Sequence, residues 1–423
     1  MVPTRPFRPR RSPDDARRVL RVRGARGLVD GLVSVILPTY LGLLGLSALR
    51  IGLVSTATLI GSAVLTLAVA LGAGRWRRRS VLLGAGVLMV GTGLGFAASS
   101  MFAMLLVVGF LGTLNPTSGD VSVFLPTEQA LLPQTVPAAS RTALFARFAL
   151  VGTLAGAFGS LAAGLPVGLA RRLGHSELSG LRGAFVVYAA AGVATVLVYR
   201  RLSPVAEPPS GAGRPGRAPL AESRAVVTRL AALFSLDSFA GGFTVQSMVA
   251  LWLSLRFGLS VATTGAVFFW TGLLTACSMP LSARLARRYG LVNTMVFTHL
   301  PAQLFLIAAA FMPTAPLAVG FLLARSALAA MDVPARTSYV MAVVPPGERA
   351  AAAGVTNVPR SLVSAVGPAL SGWLLTRTSF GWPLLIAGTL KITYDLLLLA
   401  AFRHVRPPEE TEVGPAGRAV RDR

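Results

Sequence analysis

The sequence predicts an all-α membrane protein with twelve transmembrane helices in two six-helix bundles. Three observations carry that reading: an apolar surplus, twelve recurring apolar stretches, and a repeat between the halves. Of 423 residues, 53% are hydrophobic and only 13% charged, against about 25% charged in soluble domains. Such a surface disperses in lipid, not in water. Stretches of about 17–25 residues, long enough for a roughly 30 Å hydrocarbon core, fall at 25–47, 51–72, 80–99, 102–124, 143–165, 183–199, 228–254, 259–281, 291–312, 316–336, 357–376 and 380–402. Their hydrophobicity is continuous and rich in Gly and Ala. That favours helices, which satisfy their own backbone groups, over the alternating strands of a barrel.

The formal net charge is +24, which raises the possibility of a nucleic-acid partner. Position decides against it: the arginines cluster between apolar runs and not in aromatic-interleaved patches. With both termini inside, 29 basic residues fall on the inner side, six in outer loops and five in or near spans. Cytoplasmic loops carry such an excess, so we expect a multi-pass protein of the cell membrane with cytoplasmic termini. The domain reading is an Arg-rich tail at 1–24, a bundle at 25–199, a linker at 200–227, a second bundle at 228–402, and a tail at 403–423. The linker contains Pro208-Pro209-Ser210-Gly211 and Arg214-Pro215-Gly216-Arg217. It is too polar and Pro/Gly-rich to bury a core.

The halves repeat. Leu28-Val29-Asp30 matches Ser235-Leu236-Asp237, and Arg50-Ile51-Gly52-Leu53 matches Arg256-Phe257-Gly258-Leu259. Gly119-Asp120-Val121 matches Met331-Asp332-Val333, and Val136-Pro137 before Arg141 matches Val344-Pro345 before Arg349. The offset drifts only a few residues along the chain, as a parallel six-helix repeat requires.

The loop after the eighth span reads Leu285-Ala286-Arg287-Arg288-Tyr289-Gly290, with Arg284 ahead of it. The loop after the second reads Leu71-Gly72-Ala73-Gly74-Arg75-Trp76-Arg77-Arg78-Arg79. With twelve spans, the six-plus-six repeat and the basic central loop, the chain resembles the major facilitator superfamily over about 25–402. Its loop motif is close to G-x-L-A-D-R-x-G-R-R. Ala73 stands where that motif has its aspartate, so the acid of the family's loop latch is lost. Gly156-Ala157-Phe158-Gly159 and Gly367-Pro368-Ala369-Leu370-Ser371-Gly372 partly match the glycine-rich stretch of its exporters. Their small residues serve close helix packing equally well.

The resemblance implies a central cavity lined by the first helix of each half. Charges inside spans cost roughly 2.5–3.5 kcal/mol or more at mid-bilayer unless paired or hydrated, so they are the informative residues. Asp30 and Asp237 are candidates for a proton or a cationic substrate, or for pairing with a nearby arginine. Arg325 is a candidate for an anionic substrate group or for neutralising one of those acids. Asn115, Tyr40 and Gln246 are candidate neutral hydrogen-bonding groups. Asp120, Arg147, Asp332 and Arg360 are expected near the inner ends of spans four, five, ten and eleven, which form the inner gate in the family. The expected pairs are Asp120 with Arg360 and Asp332 with Arg147, with Asp332–Arg336 a competing local pair. Lys391 and Asp395, one turn apart, are expected to pair with each other, and His299 to be packed.

Lysine occurs once, at Lys391, and is followed by Ile392. A Walker A loop, which needs Lys before Ser or Thr, is excluded. No His-Glu-x-x-His or nucleophile elbow occurs, so neither a metal site nor an enzyme is expected. Cys277 is expected to be a buried, inert thiol. The reading is a secondary transporter moving a small-molecule substrate by alternating access, without a cofactor, most consistent with proton-coupled efflux by a monomer. Uptake is the alternative within transport. From another class, the alternatives are a permease subunit of an ATP-driven system and a membrane enzyme.

Overall fold

The computed structural model describes residues 13–72, 76–117, 122–137, 140–203, 207, 223–332, 336, 339, 344, 345 and 348–402, and the described chain is mainly helical. The first half contains α1 (Pro13–Leu43), α2 (Ala48–Leu71), α3 (Arg78–Ala98), α4 (Phe102–Leu111), α5 (Phe124–Thr135), α6 (Arg141–Leu161), α7 (Leu165–Arg172) and α8 (Glu177–Tyr199). The second contains α9 (Arg224–Phe243), α10 (Gln246–Phe257), α11 (Val261–Tyr289), α12 (Leu291–Phe311), α13 (Ala315–Ser326), α14 (Arg349–Ser364), α15 (Gly367–Arg377) and α16 (Trp382–Phe402). Among the described residues, nine helical stretches are long and apolar enough to cross a membrane, and Phe102–Leu111 and Ala315–Ser326 are shorter apolar helices.

Helix α1 begins at Pro13, so residues 13–24 of the expected tail are helical and continuous with the first span. Asp14 and Asp15 lie in its first turn, where the helix dipole favours acids. Asp15 pairs with Arg18 at 2.7 Å and accepts the Ser203 hydroxyl at 2.5 Å. Ala16, Val19 and Val22 recur at helical spacing and are buried, so the arginine-rich segment is amphipathic.

Three expected spans, the fourth, the seventh and the eleventh, are interrupted instead of continuous. The fourth stops at Gly112, whose backbone is extended, three residues before Asn115-Pro116. Proline has no N–H to continue a helix and disfavours helical geometry in the residue before it. The seventh breaks at Thr244–Val245 between α9 and α10. The two breaks meet across the halves, where Ser247 N–H donates to the Pro116 carbonyl at 3.1 Å. The helix of the tenth span ends at Ser326, well short of 336, and the eleventh begins at Arg349 and is broken near Ala365.

The apolar cores define the architecture. One core draws on both halves, joining Val33, Tyr40, Ile51 and Tyr188 to Val249, Trp252, Leu306 and Leu384. It lies toward the end of the bundle that carries the 44–47 and 258–260 connections. Toward the opposite end the halves have separate cores. Val19, Phe124, Phe148 and Tyr199 belong to the first, and Val227, Phe234, Val296 and Tyr394 to the second.

At the shared end the two halves touch backbone to backbone. A side chain at Gly52 would run into the Pro368 carbonyl, one at Gly372 into the Ala48 carbonyl, and one at Gly265 into the Ser160 carbonyl. Leu49 N–H also donates to the Thr376 hydroxyl at 3.0 Å. The first contact sets α2 against α15 and the last sets α6 against α11, which seals this end on two sides.

Candidate functional site

Between the halves, below the sealed end, lies a cavity of about 450 Å³, within the range of small-molecule sites. Its first wall is a row on α6, Gly152, Thr153, Ala157 and Ser160, at helical spacing. Facing it are Phe268, Thr271 and Thr275 on α11, and the broken backbone of the seventh span supplies Thr244, Val245 and Gln246. Irregular backbone at membrane depth is tolerated where it lines such a cavity. The charged groups on the wall are Arg23, Arg325 and Lys391, and among the described residues no carboxylate lines it.

Behind that wall the second half carries an ionic network. Lys391 Nζ donates to Asp237 Oδ1 at 2.5 Å, and Arg336 donates to Asp237 Oδ2 at 3.0 Å. Arg336 also pairs with Asp332 at 3.5 Å and lies over the Phe234 ring. His299 Nδ1 is hydrogen-bonded at 3.0 Å to Asp395. The expected Lys391–Asp395 pair is therefore corrected. Lys391 reaches the acid of α9, and Asp395 turns to His299 on α12, which is bonded and not merely packed. Shared spacing on α16 permits the local pair, but the helices packed beside it bring Asp237 and His299 within bonding distance of Lys391 and Asp395.

The first half solves the same problem separately. Arg26 donates to Glu128 at 2.6 Å and to Ser122 at 2.9 Å, lies over the Phe124 ring, and Tyr199 donates to Glu128 at 2.5 Å. Asp30 is buried in the field of Arg26 and Arg23. Neither Asp30 nor Asp237 lines the cavity; Asp237 is screened from it by Lys391.

Of the neutral candidates, Gln246 is on the wall and donates to Ser160 across the halves at 3.0 Å. Tyr40 is fully buried and bonds the Phe96 carbonyl, which makes it a strut within the first half. Asn115 accepts from Thr117 N–H at 2.9 Å, shaping the break of the fourth span. Thr117, not Asn115, reaches the cavity wall.

Of the gating candidates, Asp120 lies outside the described residues. Arg147 is exposed and has no ion pair among the described residues. Asp332 pairs locally with Arg336, and Arg360 Nε donates to Ser238 at 3.0 Å. In this conformation Asp332 and Arg147 do not pair.

In the first loop motif, Arg75 lies outside the described residues and Arg77 is exposed. Arg78 and Arg79 donate their backbone N–H groups to Glu207 at 2.8 and 3.1 Å, and Arg79 also bonds the Arg200 carbonyl at 2.5 Å. Glu207, from the linker, thus places a carboxylate at the N-terminus of α3. In the second motif Arg284 and Arg288 are exposed, and the side chain of Arg287 is outside the described set. Gly290 turns the chain at φ +85°, a left-handed value that glycine adopts freely. Cys277 is exposed on α11, correcting the expectation of a buried thiol: its face of the helix points away from the bundle.

Lys391, Thr244, Thr271 and Thr275 were not legible as wall residues. A lysine in a chain otherwise using only arginine was the one available signal.

Comparison with known proteins agrees with this architecture. The sequence profile described as Major Facilitator Superfamily matches residues 23–357 and 238–422. An uncharacterized membrane protein of Saccharomyces cerevisiae is 27% identical over 412 residues, 89% of this chain and 91% of that protein. Among solved structures, a bacterial homolog of the human lysosomal transporter Spinster, in an inward-facing and occupied conformation, superposes with TM-score 0.73 at 17% identity, covering 92% of this chain and 96% of that one. The nucleoside transporter NupG superposes with TM-score 0.70 at 15% identity, covering 92% and 99%. The chain belongs to the Major Facilitator Superfamily and is a multi-pass secondary transporter of small solutes, not an enzyme.

Proposed function

We propose that the protein, acting as a monomer in the cell membrane with cytoplasmic termini, exports a small solute in exchange for protons. The observation that carries this reading is the single core at one end against two at the other, with the cavity between them. Two halves hinged in this way can rock about a fixed site and present it to either side. With the arginine-rich end cytoplasmic, the conformation described is open to the inside and ready to load an outgoing solute.

Proton coupling runs through Asp237. When Asp237 takes a proton, Lys391 loses its counter-ion and its ammonium turns to the cavity; when the proton leaves, Lys391 is recaptured. Closure of the inner end brings Asp332 to Arg147 and Asp120 to Arg360. The glycine-rich contact of α15 with α2 supports a hinge at the opposite end.

The test is flux in proteoliposomes of a solute identified by growth inhibition across a toxic-compound panel. Expression is expected to confer resistance, and an imposed proton gradient to drive uphill flux. Hypersensitivity on expression, or flux indifferent to the gradient and unchanged in Asp237→Asn, would overturn export or coupling respectively.

A further inference from the structure

Among the described residues, the wall cation Arg325 forms no ion pair. Lys391 is matched by Asp237, and Arg336 shares that acid and Asp332, so the two acids and two bases of this network balance. Arg325 stands outside it. It lies in the last turn of α13 and lines the cavity. Its Nε is buried without a hydrogen-bond partner. No described residue forms an ion pair with it, and Asp237 acts on it only across space. A half-buried guanidinium whose Nε is closed off from solvent presents a planar fork of donors to the cavity, a place where an anion offsets the cost of the unpaired group.

The rest of the wall fixes the remaining chemistry. Val267, Phe268, Leu322 and Met279 are apolar, and Thr271 and Thr275 add hydroxyls. We infer that the cavity binds a small amphipathic organic monoanion, its carboxylate or sulfonate held bidentately by Arg325 and its apolar body against α11 and Leu322. The inference rests on the transport reading and names the substrate class of the same cavity. A cationic substrate has no acid to meet on this wall, because Asp237 lies behind Lys391.

The test is calorimetric titration of the purified full-length protein in detergent with naphthalene-1-sulfonate and benzoate. Naphthalene-1-sulfonamide, benzamide and benzylammonium are the uncharged and cationic controls. At least one anion is expected to bind about tenfold or more tighter than its amide. Arg325→Gln is expected to abolish that advantage, with the weak binding of the amide unchanged, and Arg325→Lys to restore part of it. Size-exclusion profiles check that both variants remain folded. The inference is overturned if neither anion binds, if an amide or benzylammonium binds as tightly, or if Arg325→Gln binds the anion like the wild type. Counterflow of the bound anion in proteoliposomes separates the two readings. Binding without counterflow defeats transport and leaves the site, whereas counterflow of a cation with no anion binding defeats the site and leaves transport.

Discussion

Lys391, the only lysine of the chain, donates a 2.5 Å hydrogen bond to Asp237, and both side chains are 9% exposed. The pair ties α16 to α9 at the edge of the cavity. Arg336 occupies the second oxygen of the same carboxylate, so the two ends of the pair are unequally supported.

That inequality predicts an order of stability. Asp237→Asn strands Lys391 and removes a partner from Arg336, whereas Lys391→Met leaves Asp237 held by Arg336. Breaking a buried pair costs about 3–5 kcal/mol when a charge is orphaned. Asp237→Asn is expected to approach that loss and Lys391→Met to cost less, with the double variant recovering part of the Asp237→Asn loss because no lysine is then orphaned and Arg336 keeps Asp332, as read from thermal unfolding in detergent.

Among the described residues, Arg26 is the cation bonded to Glu128, deep in the first half. Arg26→Met would leave a buried carboxylate with Tyr199 alone, a loss again of about 3–5 kcal/mol. The double variant Arg26→Met/Glu128→Gln is expected to recover part of it, since Glu128 is then no longer a carboxylate without its cation. A double-mutant cycle of unfolding midpoints measures the recovery.

The Glu207 carboxylate on the Arg78 and Arg79 amides is a milder contact near the surface. Glu207→Gln should cost about 0.3–1 kcal/mol, the usual worth of an acid at a helix N-terminus. Hydrogen exchange at the start of α3 is expected to accelerate, with the remainder of the helix unchanged.

Close contact at the sealed end is sensitive to any added side chain. Gly372→Val would push α15 away from Ala48 and is expected to favour opening of that end. In a Cys277→Ser background, cysteines at Leu49 and Thr376, adjacent in this conformation, should cross-link readily. The cross-linked fraction should fall on adding Gly372→Val.

Composition and periodicity were enough for the membrane class, the helical character and the two halves, because burial in lipid demands long apolar helices wherever they sit. Membership of the family followed from the loop arginines and the repeat. Helix breaks at Asn115-Pro116 were marked by proline, but the break at Thr244–Val245 has no such mark and depends on its meeting with the fourth span. Which charges meet was decided by tertiary structure alone. Lys391 and Asp395 share a helix face, yet each finds its partner on a different helix, Asp237 on α9 and His299 on α12. Linear spacing states what an isolated helix can pair, whereas the lowest-energy pairing in a bundle depends on every charge its neighbours bring, and on which of them, like Arg325, they leave facing the cavity.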